Sequence, residues 1–274
     1  MSASFAKQKG PLLVDVIKEK NCRSAIAAIK NGTVDGAMGF DIHLAPLLPD
    51  ELTPEKLYTV FHATDKPTLA LHYNYTYDWC PMQDSDKRRA ELFCMAVEAG
   101  ASCVDMQGYT FSKQDTHSSL IGSQYSFAAA SPAEVTVDPE TIRQQKDFID
   151  RIHSMGGEVL LSVHTNTFMD CAKTLDLLEL LEERNPDVIK LVGNCDTDDE
   201  LAEYFKTLLK AQNMGYHARI HYHCNGARGK WTRIIGPMLG SYLMFCIDRY
   251  TESSVFDQLP LRVMTDIYSL LERI

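Results

Sequence analysis

Short apolar runs alternate with amphipathic segments along most of the chain. Uninterrupted apolar runs predict buried parallel strands, because both faces of such strands are covered. The predicted strands are residues 11–17, 34–42, 67–73, 101–106, 158–164, 187–192, 217–223 and 241–247. Helical spacing of apolar residues predicts helices over residues 22–30, 53–63, 84–99, 140–155, 171–184, 196–213, 231–238 and 261–273. This alternation predicts an α/β fold, a single-domain (β/α)8 TIM barrel over residues 1–274.

The alternative architecture is a doubly wound open sheet. A Gly-rich phosphate turn after the first strand would favour it, and the sequence has none there. Residues 108–138 lack periodicity and combine aromatic residues with Ser, Gly and Gln. Loops of this length in a compact domain are usually functional or disordered. We therefore predict that residues 108–138 are an inserted loop over the active face that sets substrate choice.

Composition narrows the classes of function. The formal net charge of −10 and the sequence pI of about 5.4 argue against a nucleic-acid partner. No apolar run has the length of a membrane span, and the first ten residues lack the apolar core of a signal peptide. The eight cysteines form no Cys-x-x-Cys pair, which is typical of reduced thiols in a cytoplasmic protein.

One charged residue interrupts the apolar run Asp187-Val188-Ile189-Lys190-Leu191-Val192-Gly193. A buried ammonium group loses its hydration, which lowers the pKa of the lysine and makes its amine available as a nucleophile toward a carbonyl. The alternative is that Lys190 extends along the strand to solvent. Reactive residues of barrels collect at strand ends. The residues at the ends of the neighbouring strands therefore indicate whether Lys190 is a reactive amine or a lysine that only extends to solvent.

A histidine ends the preceding predicted strand. His164 shares a strand face with Ser162, and adjacent parallel strands lie about 4.8 Å apart. An inward His164 could therefore reach the same ligand as Lys190. A carbonyl-trapping amine beside a group that exchanges protons near neutral pH favours a catalytic pair over a histidine that only packs in the core.

The seventh predicted strand and the loop after it carry further polar residues. Arg219, His221 and His223 alternate on one strand face. Such a pair of histidines, completed by His72 or His43, would be an alternative metal site, although no carboxylate stands at ligand spacing. Arg228, Lys230 and Arg233 follow on a Gly-bearing loop, and Arg233 is our candidate for binding a substrate anion because arginine binds carboxylates with two donors.

Three stretches together resemble one known family. They are Ser162-Val163-His164-Thr165-Asn166-Thr167-Phe168, Val188-Ile189-Lys190-Leu191, and Trp231-Thr232-Arg233 with Leu239-Gly240-Ser241. This combination resembles type I 3-dehydroquinate dehydratase, a (β/α)8 barrel of the class I aldolase type. The resemblance implies a Schiff-base hydro-lyase of the shikimate pathway or of quinate metabolism that acts on a small anionic keto acid without a cofactor. It leaves a homodimer open.

The resemblance also implies roles for individual residues. Lys190 matches the lysine that forms the Schiff base, His164 the general acid and base, and Arg233 the arginine that binds the substrate carboxylate. Gln258 matches a substrate-binding glutamine on the last loop, and Ser254 a serine near it. Further substrate-binding candidates are Tyr73, His223 and Ser241.

The sequence departs from the family pattern in the first half of the chain. The family carries a Glu-x-Arg pair on its second strand, where this chain reads Ala37-Met38-Gly39-Phe40-Asp41. Tyr73 stands where the family has a substrate-binding arginine. Because of these departures, the sequence does not identify the substrate. Two alternatives to the lyase remain: a metal-dependent barrel isomerase or hydrolase, and a ligand-binding homologue without catalysis.

Overall fold

The computed structural model describes residues 3–73, 85–112, 120, 122–128, 134–250 and 258–271. The strands are β1 Leu12–Ile17, β2 Gly39–His43, β3 Thr68–Leu71, β4 Cys103–Gln107, β5 Glu158–His164, β6 Val188–Asn194, β7 Arg219–Asn225, β8 Leu243–Ile247 and β9 Leu259–Pro260. The helices are α1 Cys22–Val34, α2 Pro54–Phe61, α3 Asp86–Glu98, α4 Pro139–Ser154, α5 Cys171–Glu182, α6 Asp198–Ala211, α7 Gly229–Ile235 and α8 Leu261–Leu271. All eight predicted strands and all eight predicted helices are therefore present, and the short strand β9 adds to them.

The chain divides into two compact units. The first comprises Met1–Asp105, Met155–Glu158 and Leu243–Ile274, and the second comprises Met106–Ser154 and Val159–Tyr242. In the first unit β1 pairs in parallel with β2 and β8, β2 with β3, β3 with the start of β4, and β8 with β9. In the second unit β6 pairs in parallel with β5 on one side and β7 on the other. The prediction of a single domain stays a prediction.

Polar side chains start most of the helices. Asn21, Thr53, Ser85, Asp170 and Thr197 precede α1, α2, α3, α5 and α6, and each accepts a hydrogen bond from the backbone N–H three residues later. Such caps satisfy N–H groups that have no partner within the first turn. Within the described residues, no helix combines the length and hydropathy needed to cross a membrane.

The predicted end of α1 was wrong. The helix was predicted over residues 22–30, so that it would end before Gly32, but α1 continues through Gly32 to Val34. Gly32 is needed for close packing, since a Cβ atom there would lie 2.4 Å from Asp15 Oδ2 on β1. The chain turns instead at Gly36, which has a φ of +96°, and β2 begins only at Gly39.

The two ends of the predicted insertion meet at Gly108. A Cβ atom at Gly108 would lie 1.9 Å from the backbone oxygen of Glu134, so only glycine allows this approach. Gln145 Nε2 of α4 donates to the carbonyl oxygens of Gly108 and Thr110 at 2.8 and 3.0 Å. Arg184 Nη2 donates to the carbonyl oxygen of Thr136 at 2.9 Å. Residues 113–119, 121 and 129–133 of the insertion lie outside the described residues, so its cover of the active face stays a prediction.

Candidate active site

Lys190 lies inside the sheet of the second unit. It is the third of the seven residues of β6, which continues to Asn194 rather than ending near Val192 as predicted. Its register partners are Ser162 on β5 and His221 on β7. Only 6% of the Lys190 surface is exposed, so the predicted burial of this lysine is confirmed.

Side-chain alternation identifies the face on which Lys190 lies. Tyr222 of β7 packs its ring against Tyr204 of α6, with ring centroids 4.8 Å apart, so Tyr222 faces the helices. His221 and His223 alternate with Tyr222 and therefore face the opposite side. Registered residues of parallel strands share a face, which puts Lys190 on the side of these two histidines.

His164 ends β5 and is held by a carboxylate. Its register partner is Val192, two residues beyond Lys190 on β6. The His164 backbone N–H donates to Glu134 Oε2 at 2.7 Å, and the same oxygen lies 2.8 Å from His164 Nδ1. An N–H at Nδ1 that donates to this carboxylate leaves Nε2 of the neutral ring as the base.

Glu134 is a residue that the sequence reasoning missed. Its side chain is 5% exposed and contacts His164, which lies 30 residues later in the chain. The only signal in the sequence was a carboxylate inside a long aperiodic segment. That signal does not identify a partner, because the contact depends on the close approach of Gly108 and Glu134.

His223, His221 and Ser241 form a connected set of buried side chains. His223 Nδ1 lies 2.9 Å from His221 Nε2, and His221 Nδ1 lies 2.9 Å from Ser241 Oγ. Burial lowers the pKa of His223 well below its ordinary value of 6.5; the charge of Arg233 lowers it further, as do His221, Lys190 and His164 in their protonated forms. His223 is therefore uncharged at neutral pH.

Arg233 projects from α7, the helix that follows β7. It is half-buried, and its Nη2 atom donates to Asn225 Oδ1 at 3.1 Å, at the end of β7. The positive charge of Arg233 lowers the pKa of His223, so this predicted anion-binding residue lies close enough to His223 to act on it electrostatically. The loop between β7 and α7 begins at Gly226, which has a φ of +94° and packs against Asp196.

The remaining predicted substrate-binding residues belong to the first unit or are not described. Tyr73 follows β3 and is buried, with its ring 6.2 Å from the ring of His43. Gln258 is 9% exposed, and its Oε1 atom has no hydrogen-bond partner among the described residues. Ser254 lies outside the described residues.

An acid and a base also stand two residues apart on β2, where the sequence reasoning found no Glu-x-Arg pair. Asp41 Oδ2 lies 3.3 Å from His43 Nε2, and both side chains are buried. Asp41 and His43 have the same spacing as the family's Glu-x-Arg pair but are different residue types, so a search for Glu and Arg does not find them.

The metal-site alternative finds no support in these contacts. Both ring nitrogens of His221 and the Nδ1 atom of His223 face side chains of this set, so these three nitrogens are already used. His72 Nδ1 lies 2.8 Å from the carbonyl oxygen of Tyr73. In the part of the chain that the structure describes, no three His, Cys, Asp or Glu side chains cluster so that they could hold a metal ion.

We compared the chain with protein-family models and with curated protein sequences. The sequence model of the family described as "Type I 3-dehydroquinase" matches residues 106–274. No curated protein sequence matches the chain significantly.

Three solved structures show the fold. The 3-dehydroquinate dehydratase of Geobacillus kaustophilus is 11% identical, with a TM-score of 0.74 over 100% of this chain and 97% of that one. The type I enzyme of Clostridium difficile is 12% identical, with a TM-score of 0.73 over 97% and 94%. The enzyme of Enterococcus faecalis is 13% identical, with a TM-score of 0.68 over 96% and 95%. These similarities confirm the predicted (β/α)8 barrel.

Proposed function

Because the chain belongs to the type I 3-dehydroquinase family, we propose that it is a Schiff-base-forming hydro-lyase for 3-dehydroquinate or a related cyclic keto acid. The observation that carries this proposal is the buried Lys190, one strand away from the carboxylate-bound His164. A buried amine and a positioned imidazole are the two groups that dehydration through an iminium requires.

In the first step Lys190 forms the covalent intermediate. Its uncharged Nζ attacks the substrate carbonyl carbon, and the carbonyl oxygen leaves as water, so a C=N bond replaces the C=O bond. Lys190 is buried, which keeps bulk water away from the reacting amine. The resulting iminium withdraws electrons and acidifies the adjacent C–H bond.

In the second step His164 moves a proton. Its Nε2 takes the α-proton, and the electron pair of the C–H bond enters the enamine. The same imidazolium then donates the proton to the β-hydroxyl group, which leaves as water. Hydrolysis of the conjugated iminium returns the Lys190 amine and releases the unsaturated ketone. Substrate and products differ by one water molecule, so the reaction needs no oxidant or reductant.

Glu134 acts in this scheme as a positioning residue. The 2.8 Å contact of its carboxylate with His164 Nδ1 sets the tautomer and the ring orientation. The carboxylate also stabilises the imidazolium that forms after proton abstraction, as in other acid–histidine pairs.

The proposed substrate class depends on Arg233, whose charge acts on His223. Arg233 would bind a carboxylate, and His223 and Ser241 of the same unit are further substrate-binding candidates. Gln258, Ser254 and Tyr73 stay candidates on the grounds of the sequence alone. The C. difficile structure is described with a covalent modified comenic acid, which is a ring with a ketone and a carboxylate. A ligand of that type suits an amine and a guanidinium in this chain.

Reductive trapping tests the proposal. Purified protein is treated with borohydride in the presence of 3-dehydroquinate, 3-dehydroshikimate or comenic acid, and the adduct is mapped by mass spectrometry. We expect the adduct on Lys190, and none in Lys190→Met. Lys206→Met, which removes an exposed lysine of α6, is the matched control and retains the adduct.

Two results would support the alternatives. Thermal stabilisation by these ligands without turnover or adduct would identify a binding homologue that has lost catalysis. Turnover that needs a divalent metal and survives in Lys190→Met would favour a metal-dependent enzyme and contradict the Schiff-base mechanism.

A further inference from the structure

Three buried side chains connect the backbone of β7 to the lysine-bearing face. Ser241 Oγ accepts from the Tyr222 backbone N–H at 3.0 Å and donates to the Tyr222 carbonyl oxygen at 3.1 Å. His221 Nδ1 lies 2.9 Å from this Oγ, and His221 Nε2 lies 2.9 Å from His223 Nδ1. We call His223, His221 and Ser241 the strand-seven relay.

The proton count along the relay gives it a direction. A serine hydroxyl carries one proton, and Ser241 gives it to the Tyr222 carbonyl oxygen. Ser241 Oγ therefore accepts from an N–H at His221 Nδ1, and the uncharged His221 then has a lone pair at Nε2. This lone pair accepts from His223 Nδ1–H, which leaves the lone pair of His223 at Nε2.

His223 Nε2 is the end of the relay. No residue in the described ranges makes a hydrogen bond to this atom. His223 registers with Val192 on β6, and Val192 registers with His164 on β5. Two imidazoles thus lie on either side of β6, two residues beyond Lys190.

We propose that the strand-seven relay fixes His223 Nε2 as an uncharged hydrogen-bond acceptor for a hydroxyl group of the substrate. The inference rests on the proposed function and deepens it: the ligand is a cyclic keto acid with a hydroxyl group. Arg233 would bind its carboxylate, Lys190 its carbonyl carbon, and His223 its hydroxyl proton.

The two imidazoles differ in their surroundings. His164 contacts the carboxylate of Glu134, which stabilises its protonated form. His223 contacts no acid among the described residues. The groups that act on it are the Arg233 guanidinium on α7 and three bases, Lys190 on β6, His164 on β5 and His221 on its own strand, and each of them disfavours a proton on His223 when it is charged. An uncharged His223 avoids one more buried cation and can still accept a hydrogen bond from a donor. In this scheme His164 transfers protons and His223 recognises the ligand.

The first experiment measures the tautomer directly. Two-bond 1H–15N NMR spectra of wild-type protein labelled with 15N-histidine are recorded from about pH 5.5 to pH 8, a range in which an unperturbed histidine titrates. We expect His223 to stay neutral with an unprotonated Nε2, and Ser241→Ala to mix its tautomers. A proton on Nε2, or titration of His223 within this range, would overturn the proposal.

The second experiment measures hydroxyl recognition. Comenic acid and 4-oxopyran-2-carboxylic acid, the same ring without the hydroxyl group, are compared by calorimetry. We expect wild type to bind comenic acid about fivefold more tightly than the ligand without the hydroxyl group, a ratio typical of one hydrogen bond. We expect His223→Phe to bind both ligands equally. His217→Phe, at an exposed histidine, is the control and keeps the wild-type ratio. An unchanged ratio in His223→Phe would overturn the proposal.

The two proposals fail separately. The NMR measurement uses the unliganded wild-type protein, so it requires neither a folded variant nor a Schiff base. The expected tautomer together with no adduct on Lys190 would support the relay and contradict the lyase.

Discussion

We predict that Asp15 makes the stability of the first unit depend on pH. It lies in β1 with 1% of its surface exposed, against the space that Gly32 leaves open. Neither carboxylate oxygen has a hydrogen bond of normal geometry from the described residues. Burial raises the pKa of Asp15 from 3.8 to about 7, with smaller contributions from the negative charges of Asp248 and Asp35.

The sign of the pH effect follows from this shift. A carboxyl group that binds its proton more tightly in the folded state contributes its full stability below about pH 4, and this contribution is lost as the pH rises toward 7. Each pKa unit is worth about 1.4 kcal/mol, so the total loss is about 4 kcal/mol. Between pH 5 and pH 8 the loss is about 2 to 3 kcal/mol.

Asp15→Asn removes the charge at nearly constant volume. Urea unfolding of wild type and variant at pH 5, 6, 7 and 8 gives the difference in their free energies of unfolding. We expect this difference to move by about 2 to 3 kcal/mol in favour of the variant from pH 5 to pH 8. Asp65→Asn, at an exposed aspartate, is the control and shows no such trend. A difference for Asp15→Asn that is independent of pH would refute the reasoning.

Three further predictions concern the site. Glu134→Gln should lower kcat about 10²-fold with little change in KM, because it removes the charge that stabilises the His164 imidazolium; an unchanged kcat would contradict this role. Gly108→Ala should lower the free energy of unfolding in urea by about 2 kcal/mol or more, because its Cβ atom meets the Glu134 backbone. A decrease of less than about 0.5 kcal/mol, as is usual for surface substitutions, would contradict this prediction. Arg233→Lys should weaken carboxylate binding and raise KM about tenfold or more, since lysine cannot donate two parallel hydrogen bonds, whereas Arg143→Lys, on the exposed face of α4, should leave KM unchanged.

The sequence predicts the strands and helices well because their signals are local. Apolar runs marked all eight strands, and a charge inside one of them identified Lys190. Ends of elements were less predictable, since they depend on neighbours. The predicted helix ended at residue 30, but α1 packs closely on Asp15 and retains Gly32 within its last turn.

The environment of the site was only partly predictable. His164 and Lys190 follow from strand patterns, but Glu134 comes from an aperiodic segment and meets His164 only through tertiary structure. The bond between His221 and His223 was equally hidden, because a His-x-His sequence also fits a metal site. The 2.9 Å distance between His223 Nδ1 and His221 Nε2 shows that the two rings hydrogen-bond each other, and the contact of His221 with Ser241 gives that hydrogen bond its direction.

The close approach at Gly108 has a consequence for how this protein can diversify. Because Gly108 and Glu134 approach each other so closely, the sequence between them can lengthen, shorten or change composition while the strands stay in register. Its base cannot change so freely, since the residue that closes it also orients His164. Natural variation and laboratory grafting should therefore concentrate between these two anchors, where a new ligand preference can arise without loss of proton transfer.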